Sequence, residues 1–336
     1  MRWLIGLGLV VAMFAFGFGV YHAAGYLRAE RNGLHRPTEV SAPSLPGTMY
    51  LVQSGAIYRF QKGTFRQITS EAGWMQPSAA PNNQLVVVRR QGNYSDLYLL
   101  TTGGRTVSQL THDASGTVEA NHWIFYPRFS PDGMTVFYDF DPKDAAGTYR
   151  TDLAIFASPI DAGSRAVAVG WTQPNPYTGG DLTPIPLRNG ALIYTKYSVD
   201  DRSQVHSQIW IQRRPGSRGL ALTAPELDCA QPAVSPDEKL LAMVCSKGSN
   251  LASDLDVAPL GLDSLTLGTP STLVGDKLIA SPAFSPDGRT IAFLAPTTAG
   301  GRFQLWTVAS AGQPTPRSIS SNLGFDSNSA PVWVEG

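Results

Sequence analysis

The sequence contains few cysteines, and it has no excess of positive or negative charge. It has 2 cysteines among 336 residues, so a hydrophobic core must supply the stability that a disulfide framework cannot. Lysine and arginine number 26, aspartate and glutamate number 26, and only 15% of the residues are charged. This balance lacks the basic footprint of a nucleic-acid binder, so we expect no nucleic-acid partner.

Motifs that carry catalysis or bind metals are also scarce. The 5 histidines include no pair with zinc-ligand spacing, and no Gly-x-Ser-x-Gly occurs. The acidic stretch DFDPKDAAG at 139–147 lacks the ligand spacing of a calcium-binding helix–loop–helix, which favours a solvated loop. We therefore predict no metal, no cofactor and no enzymatic activity.

One long apolar run opens the chain. From Trp3 to Leu27 the only strongly polar side chain is His22. A helix of this length would span roughly 37 Å, enough to cross a ~30 Å hydrocarbon layer. We predict a transmembrane anchor at 1–27, with a cleaved signal peptide as the alternative, and a proline-rich tether at 28–47.

In the rest of the chain, a proline-centred segment recurs about every fifty residues. The clearest copies read PRFSPDGMTVFY, PAVSPDEKLLAMV and PAFSPDGRTIAFL. Successive copies are separated by 50, 57, 48, 50 and 49 residues, a period typical of propeller blades. The copies begin at Pro77, Pro127, Pro184, Pro232, Pro282 and Pro331.

Each full copy has the residues of a β-hairpin. In SPDG, Pro131 sets φ for a type I turn, Asp132 can bond back to the backbone, and Gly133 accepts a left-handed conformation. Gly190 supplies the same freedom in the third copy, whereas Glu238 takes the glycine position in the fourth. Two further strands follow each hairpin, for example DLYLLTT and VSQLTHD, which completes a four-stranded unit.

The two ends of the repeat region complement each other. The last copy has only a first strand, APVWV, whereas the region before the first copy has three strands, MYLVQ, AIYRFQ and TFRQITS. Pairing them completes a sixth sheet and removes exposed edges, which a β-sandwich would not explain. We therefore predict an all-β, six-bladed β-propeller of four-stranded blades at 48–336. The C-terminal strand pairs with the N-terminal strands, and one N-terminal transmembrane helix precedes the ring.

The recurring P-x-F-S-P-D-G hairpin resembles the TolB-type propeller repeat, which occurs in periplasmic TolB, in standalone propellers and in the propeller domains of prolyl oligopeptidases. The resemblance covers 48–336 and implies a fold rather than a function. It implies a propeller on the extracytoplasmic side of a cell membrane, or a secreted or periplasmic protein if the first segment is cleaved. No residues remain for an α/β-hydrolase domain, so peptidase activity is not expected.

Propellers bind ligands at the mouth of the central channel, which is lined by the first strands and the loops that enter them. Aromatic and amide side chains at these positions suit sugars or peptide segments, although Trp74 and Trp123 would equally cap gaps between blades. The long connection at 163–181 is predicted as a recognition loop. The candidate binding residues are Trp74, Gln76, His122, Trp123, Tyr126, Trp171, Tyr177, Asp181, Gln231 and Asn328.

The two cysteines flank the fourth hairpin. Cys229 and Cys245 each lie eight residues from Asp237, so antiparallel register would place them opposite one another. Two outcomes are open: a cross-strand disulfide in an oxidising compartment, or two buried thiols that pack as small apolar groups.

These features favour a membrane-anchored, single-pass propeller that acts as a non-enzymatic scaffold for a protein or peptide partner. The alternative is a sensor that binds an envelope glycan or a small ligand at the channel mouth. A propeller hydrolase or lyase is the third hypothesis, and it would need acidic and histidine side chains to converge in the channel.

Overall fold

The computed structural model describes residues 42–143, 151–160, 168–247 and 252–336. The predicted anchor at 1–27 and most of the predicted tether lie outside these ranges, as does part of the acidic stretch at 139–147. In the described part of the chain, no helix has the length and apolar character needed to cross a membrane.

Six antiparallel sheets make up the described fold, and we number them as blades in chain order. The closing blade contains β1 (Thr48–Gln53), β2 (Ala56–Gln61) and β3 (Thr64–Gln67). Blade one contains β4 (Trp74–Ala79), β5 (Gln84–Arg90), β6 (Ser95–Thr101) and β7 (Thr106–Gln109). Blade two contains β8 (Ile124–Phe129), β9 (Thr135–Phe140), β10 (Ala154–Pro159) and β11 (Val169–Gly170).

The remaining blades follow the same order. Blade three contains β12 (Asp181–Pro186), β13 (Leu192–Val199), β14 (Val205–Gln212) and β15 (Leu220–Ala221). Blade four contains β16 (Cys229–Val234), β17 (Leu240–Cys245), β18 (Ser253–Gly261), β19 (Thr266–Leu267) and β20 (Ser271–Lys277). Blade five contains β21 (Ala280–Phe284), β22 (Thr290–Pro296), β23 (Phe303–Ala309) and β24 (Arg317–Ser318). The last strand is β25 (Val332–Val334), and short 3₁₀ turns lie at Val118–Ala120 and Pro225–Leu227.

The ring closes as predicted. β25 pairs with β1 in antiparallel register, with Met49 opposite Trp333, so the closing blade has the order β25-β1-β2-β3. The indole Nε1 of Trp333 donates to the carbonyl oxygen of Pro46 at 2.7 Å, which fixes the strand against the segment before β1. The prediction of a six-bladed propeller with four-stranded blades is therefore confirmed. Blade four differs in one detail, because a short ladder between β18 and β19 precedes its outer strand β20.

The hairpin turns have the geometry that SPDG predicts. In blade two, the amide of Gly133 donates to the carbonyl of Ser130 at 2.8 Å, and the Ser130 hydroxyl donates to Asp132 Oδ1 at 2.5 Å. Gly133 has φ of 72°, and Glu238 adopts φ of 59° at the equivalent position of blade four. The expected left-handed conformation is thus present even where glycine is replaced.

The hydrophobic core lies between adjacent blades. One cluster combines Val88 and Leu97 of blade one with Ile124 and Val136 of blade two, all almost fully buried. Each blade therefore buries apolar side chains on both faces, so second strands such as β5 and β17 contain nearly continuous apolar runs rather than alternating ones. This packing makes the stability of each blade depend on its neighbours.

The two cysteines are opposite one another, as the spacing predicts. Cys229 pairs in register with Cys245 across β16 and β17, their Cα atoms are 4.1 Å apart, and the structure joins their sulfur atoms as a disulfide. Both residues are fully buried in the core between blades three and four. The bond would therefore be protected from reductants while the propeller stays folded.

The closing pairing can be tested by truncation. Deleting 329–336 removes the Trp333 and Val332 side chains from the core and exposes the edge of β1. We expect the melting temperature to fall by about 10 °C or more, given roughly 1.5–3 kcal/mol per buried side chain. A chain that lacks only 335–336 keeps all of β25 and is the control in thermal unfolding followed by circular dichroism. If the variant that lacks 329–336 melts like the full-length protein, the proposed closure is contradicted.

The disulfide can be tested by alkylation. The protein, purified from its native compartment without reductant, is unfolded and alkylated, and its mass is measured. We expect no label, because both sulfur atoms are in the bond, and two labels after prior reduction. Two labels without reduction would show that the cysteines are free thiols.

Candidate functional site

The residues that precede the opening prolines converge on the central channel. In β4, β8, β12, β16 and β21 the strand register shifts at this point, which marks a β-bulge. Proline has no N–H to donate to the ladder, so a break in pairing costs little there. The preceding residues all have left-handed φ: Gln76 (53°), Tyr126 (49°), Thr183 (58°), Gln231 (52°) and Ser281 (56°).

Each of these bulges turns a backbone amide toward the preceding blade. In two bulges, the acceptor belongs to the residue at the same position in the preceding copy of the repeat. The Tyr126 amide donates to Gln76 Oε1 at 2.8 Å, and the Ser281 amide donates to Gln231 Oε1 at 2.7 Å. In both pairs the partners are 50 residues apart, which is one blade. The glutamine side chain of one copy thus accepts the hydrogen bond of the backbone amide that the bulge frees in the next copy.

The other three bulges find different acceptors on the preceding blade. Thr183 donates to Asp139 Oδ2 at 3.1 Å, and Gln231 donates to Thr195 Oγ1 at 3.2 Å. Gln76 donates to Ser329 Oγ at 3.1 Å, across the junction of the two chain ends. The hydroxyl of Ser281 donates to the carbonyl of Ser327 at 2.7 Å. With this last bond, every blade is joined to the next in a closed circle, which we call the bulge ring.

The bulge ring narrows the channel. The residues that line it enclose a cavity of about 30 Å³. At roughly 10–15 Å³ for each water, this admits two or three water molecules and excludes a sugar ring. Gln76, Tyr126 and Gln231, three of the predicted binding residues, are among those that line this cavity. The lining residues are Gln76, Pro77, Tyr126, Pro127, Arg128, Thr183, Gln231, Pro232, Ser281, Pro282 and Ala330.

Two buried carboxyl groups lie behind the ring. Burial raises the pKa of Asp139 well above its usual value, nearby Asp181 raises it further, and the Thr183 amide lowers it. Asp181, predicted at the channel mouth, is fully buried and paired with Lys196 Nζ at 3.0 Å. Burial also raises the pKa of Tyr126, with the Asp139 charge adding to the effect. The raised pKa values favour the neutral forms of the Asp139 carboxyl and the Tyr126 phenol.

Two of the predicted tryptophans lie in the core. Trp74 is 5% exposed and packs edge-on against Tyr98, with the Arg89 guanidinium 4.9 Å above its ring. Trp171 is buried against Phe137, with ring centroids 5.3 Å apart. Trp74 therefore caps the gap between blades, the alternative that its sequence position left open.

The other predicted residues stay near the surface where the chain enters each first strand, which we call the entry face. His122 stacks on Phe140 at 5.0 Å, and its Nδ1 lies 2.7 Å from the carbonyl oxygen of Asp141. Trp123 stacks on Phe125 and remains partly exposed. Asn328 is exposed, and its carbonyl oxygen accepts from Gln76 Nε2 at 3.2 Å.

The predicted recognition loop is rigidly held where it is described. Residues 163–167 lie outside the described ranges, whereas 168–181 lie inside them. Asp152 accepts backbone hydrogen bonds from Tyr177 at 2.9 Å and from Thr178 and Gly179 at 3.0 Å each. Tyr177 has φ of 63° and a side chain that is 79% exposed. Asp152 lies in no motif, so its support of the loop could not be predicted from the sequence.

An exposed apolar patch lies beside this loop. Asn175 Nδ2 donates to the carbonyl of Tyr197 at 2.8 Å, which fixes the loop to β13. That strand ends in Val199, which faces Val205 across the hairpin, and both side chains are exposed. We call Tyr177, Val199 and Val205 the entry-face patch.

Comparisons with known proteins identify the fold. No protein-family model and no curated protein matches the chain. The structure of TolB from Acinetobacter baumannii matches with a TM-score of 0.61 and 18% identity, covering 86% of this chain and 67% of that one. A putative TolB from Agrobacterium tumefaciens matches with a TM-score of 0.58 and 14% identity, covering 85% and 94%. The fold is a TolB-like six-bladed propeller.

The same fold also occurs in enzymes. A gluconolactonase from Xanthomonas campestris matches with a TM-score of 0.53 and 15% identity, covering 86% of this chain and 89% of that one. Identities this low establish the shared fold and nothing about activity. Within the described ranges of this TolB-like propeller, no group of three or more histidine, cysteine, aspartate or glutamate side chains could hold a metal ion.

One titratable cluster adjoins the entry-face patch of the TolB-like propeller. His206 Nδ1 lies 3.0 Å from Asp228 Oδ1, and its Nε2 lies 3.3 Å from Asp200 Oδ2. Hydrogen bonds to Asp200 and then to Asp228 raise the pKa of His206 above its usual value. Protonated His206 therefore ties the β13–β14 turn to the connection between blades three and four.

This cluster predicts a pH-dependent contribution to stability. Because the pKa of His206 is raised in the folded state, its contribution is complete below the unfolded pKa of about 6.5 and is lost as pH rises through the folded pKa. We expect His206→Gln to lower the melting temperature at pH 5.5 and to have a smaller effect at pH 8.5. His112→Gln is the control, since His112 forms no ion pair among the described residues. An equal loss at both pH values would contradict the ion pairs.

Proposed function

We propose that this TolB-like propeller is a non-enzymatic scaffold that binds a protein or peptide partner on its entry face. The observation that carries the proposal is Tyr177, which is 79% exposed while its backbone is held by Asp152. Exposed tyrosines on rigid supports are common anchors of protein interfaces, because they offer a large contact area and lose little conformational entropy.

The surroundings of Tyr177 support a partner rather than a small ligand. Val199 and Val205 extend the exposed apolar surface on the adjoining hairpin. Exposed apolar side chains around a tyrosine add contact area for a partner. The cavity of about 30 Å³ at the bulge ring leaves no room for a sugar ring at that level. Binding of a glycan or small ligand at the channel mouth is therefore the second candidate.

The acids near the channel also favour a non-enzymatic role. Asp181 is engaged by Lys196, and Asp139 is fully buried behind the bulge ring. A propeller hydrolase would need acidic or histidine side chains that reach the substrate. Neither buried acid is in such a position.

We place the scaffold on the extracytoplasmic side of a cell membrane, anchored through the apolar segment at 1–27. The cross-strand disulfide supports this location, since such bonds persist in oxidising compartments. The length of the apolar segment supports the anchor.

The proposal is tested by cross-linking the tagged full-length protein in its native cells, followed by capture and mass spectrometry. We expect one partner near stoichiometry, and we expect Tyr177→Ala to reduce its recovery about tenfold or more, as for a hot-spot residue. Leu278→Ala is the matched control, because Leu278 is 50% exposed on a different connection of the same face.

Both variants are first shown to melt like the wild type. Undiminished recovery of the partner by Tyr177→Ala would contradict the proposed interface. Loss of recovery in both variants would contradict the assignment to Tyr177. If no protein is captured and glycans raise the melting temperature instead, the scaffold proposal fails in favour of the ligand-binding alternative.

A further inference from the structure

A single charged side chain lines the channel cavity among the described residues. It is Arg128, which follows the proline of β8 and lies one residue beyond the bulge at Tyr126 and Pro127. None of the ion pairs or hydrogen bonds among the described residues includes its guanidinium. The surrounding protein therefore leaves the charge uncompensated.

Arg128 differs from the residues at the equivalent position in the other blades. At the position after the proline, the other first strands carry small or apolar residues. Arg128 is thus the only long polar side chain at this level of the channel. The equivalent residues are Ser78, Ile185, Ala233, Ala283 and Val332.

The charge persists although its surroundings oppose it. Burial lowers the pKa of Arg128, but an arginine starts from so high a value that it stays protonated at neutral pH. Arg128 is partly buried, and an unpaired charge with restricted access to water favours a counter-ion. The buried acids of the adjoining strands do not act as this counter-ion, because Asp181 pairs with Lys196 and Asp139 accepts a hydrogen bond from the Thr183 amide.

A second donor lines the same cavity. Gln231 uses its Oε1 to accept the Ser281 amide, whereas its Nε2 donates to no group in the described part of the chain. The backbone amides of the bulge ring are already engaged by the preceding blades. The Arg128 fork and the Gln231 amide are therefore two donors that remain available to a ligand in the cavity.

We propose that the cavity at Arg128 binds one small oxyanion, a carboxylate or a phosphate. The planar guanidinium matches two oxygen atoms of such a group in a bidentate pair. A volume of about 30 Å³ suits one small oxyanion and excludes a ligand as large as a sugar ring. This site is independent of the proposed partner on the entry face.

The oxyanion has two sources that the structure allows. It is either a free anion or a carboxylate carried on a peptide segment. A hollow of about 780 Å³ at the hairpin face includes Phe129 and Ala79, which directly follow Arg128 and Ser78. The lining of this hollow therefore begins on β8 one residue beyond the point where the lining of the cavity ends.

The experiment measures the melting temperature of the full chain at constant ionic strength, with chloride replaced by acetate or by phosphate. A blocked Gly-Glu-Gly peptide and its Gly-Gln-Gly counterpart test the second source. We expect a rise of about 2 °C at an anion concentration ten times Kd. Arg128→Met should abolish the rise, whereas Arg90→Met, which removes an exposed arginine of blade one, should retain it.

The results distinguish the two sources of the oxyanion and also test whether the site exists. A rise with acetate or phosphate assigns a free anion, and a rise with the glutamate peptide alone assigns a peptide carboxylate. The absence of any anion-dependent rise, or a rise that persists in Arg128→Met, overturns the proposal. If Arg128→Met does not fold, Arg128→Lys decides, because an ammonium lacks the planar fork and affinity should fall about tenfold. Unchanged affinity in that variant overturns the site.

Discussion

The pairing of β25 with β1 is the constraint on which the rest of the molecule depends. Each blade buries apolar side chains against two neighbours, so an open ring would leave two blades with one exposed face each. Only three residue pairs form the closing ladder, yet they supply the missing first strand of the closing blade. They also bring Ser327 and Ser329 to the channel, where these residues join the bulge ring. The shape of the channel and its sealing therefore follow from closure.

Most of the fold could be predicted from the sequence because its signals are local and repeated. The turn chemistry of SPDG and of its variants predicted the hairpins, and the complementary strands at the two ends predicted the closure. Because Gln76, Tyr126 and Gln231 directly precede the repeated prolines, their position at the channel could also be predicted. The short strand β19 was not predicted, since two residues of pairing leave no periodic pattern. The anchor at 1–27 lies outside the described residues and remains a prediction.

The rest of the site could not be predicted, because it depends on which blades meet. Asp139 and Thr195 lie on second strands, and nothing in their local sequence marks them as acceptors for the next bulge. Arg128 occupies a variable position within the repeated hairpin, and its isolation appears only when the equivalent residues are compared in space. Trp74 and Trp171 show the opposite case, since aromatic residues at the ends of strands fill gaps between blades as readily as they meet ligands.

The spacing of the bulge-ring hydrogen bonds bears on how such a protein arises. Tyr126 with Gln76, and Ser281 with Gln231, join the same position in adjacent copies. A bond of this kind is duplicated together with the segment that encodes it, so a newly copied blade carries both the acceptor it offers and the donor it needs. Gene duplication could then lengthen the ring without new interactions being invented. The number of blades would be limited by the angle at which their faces pack and by whether the two ends of the chain still meet.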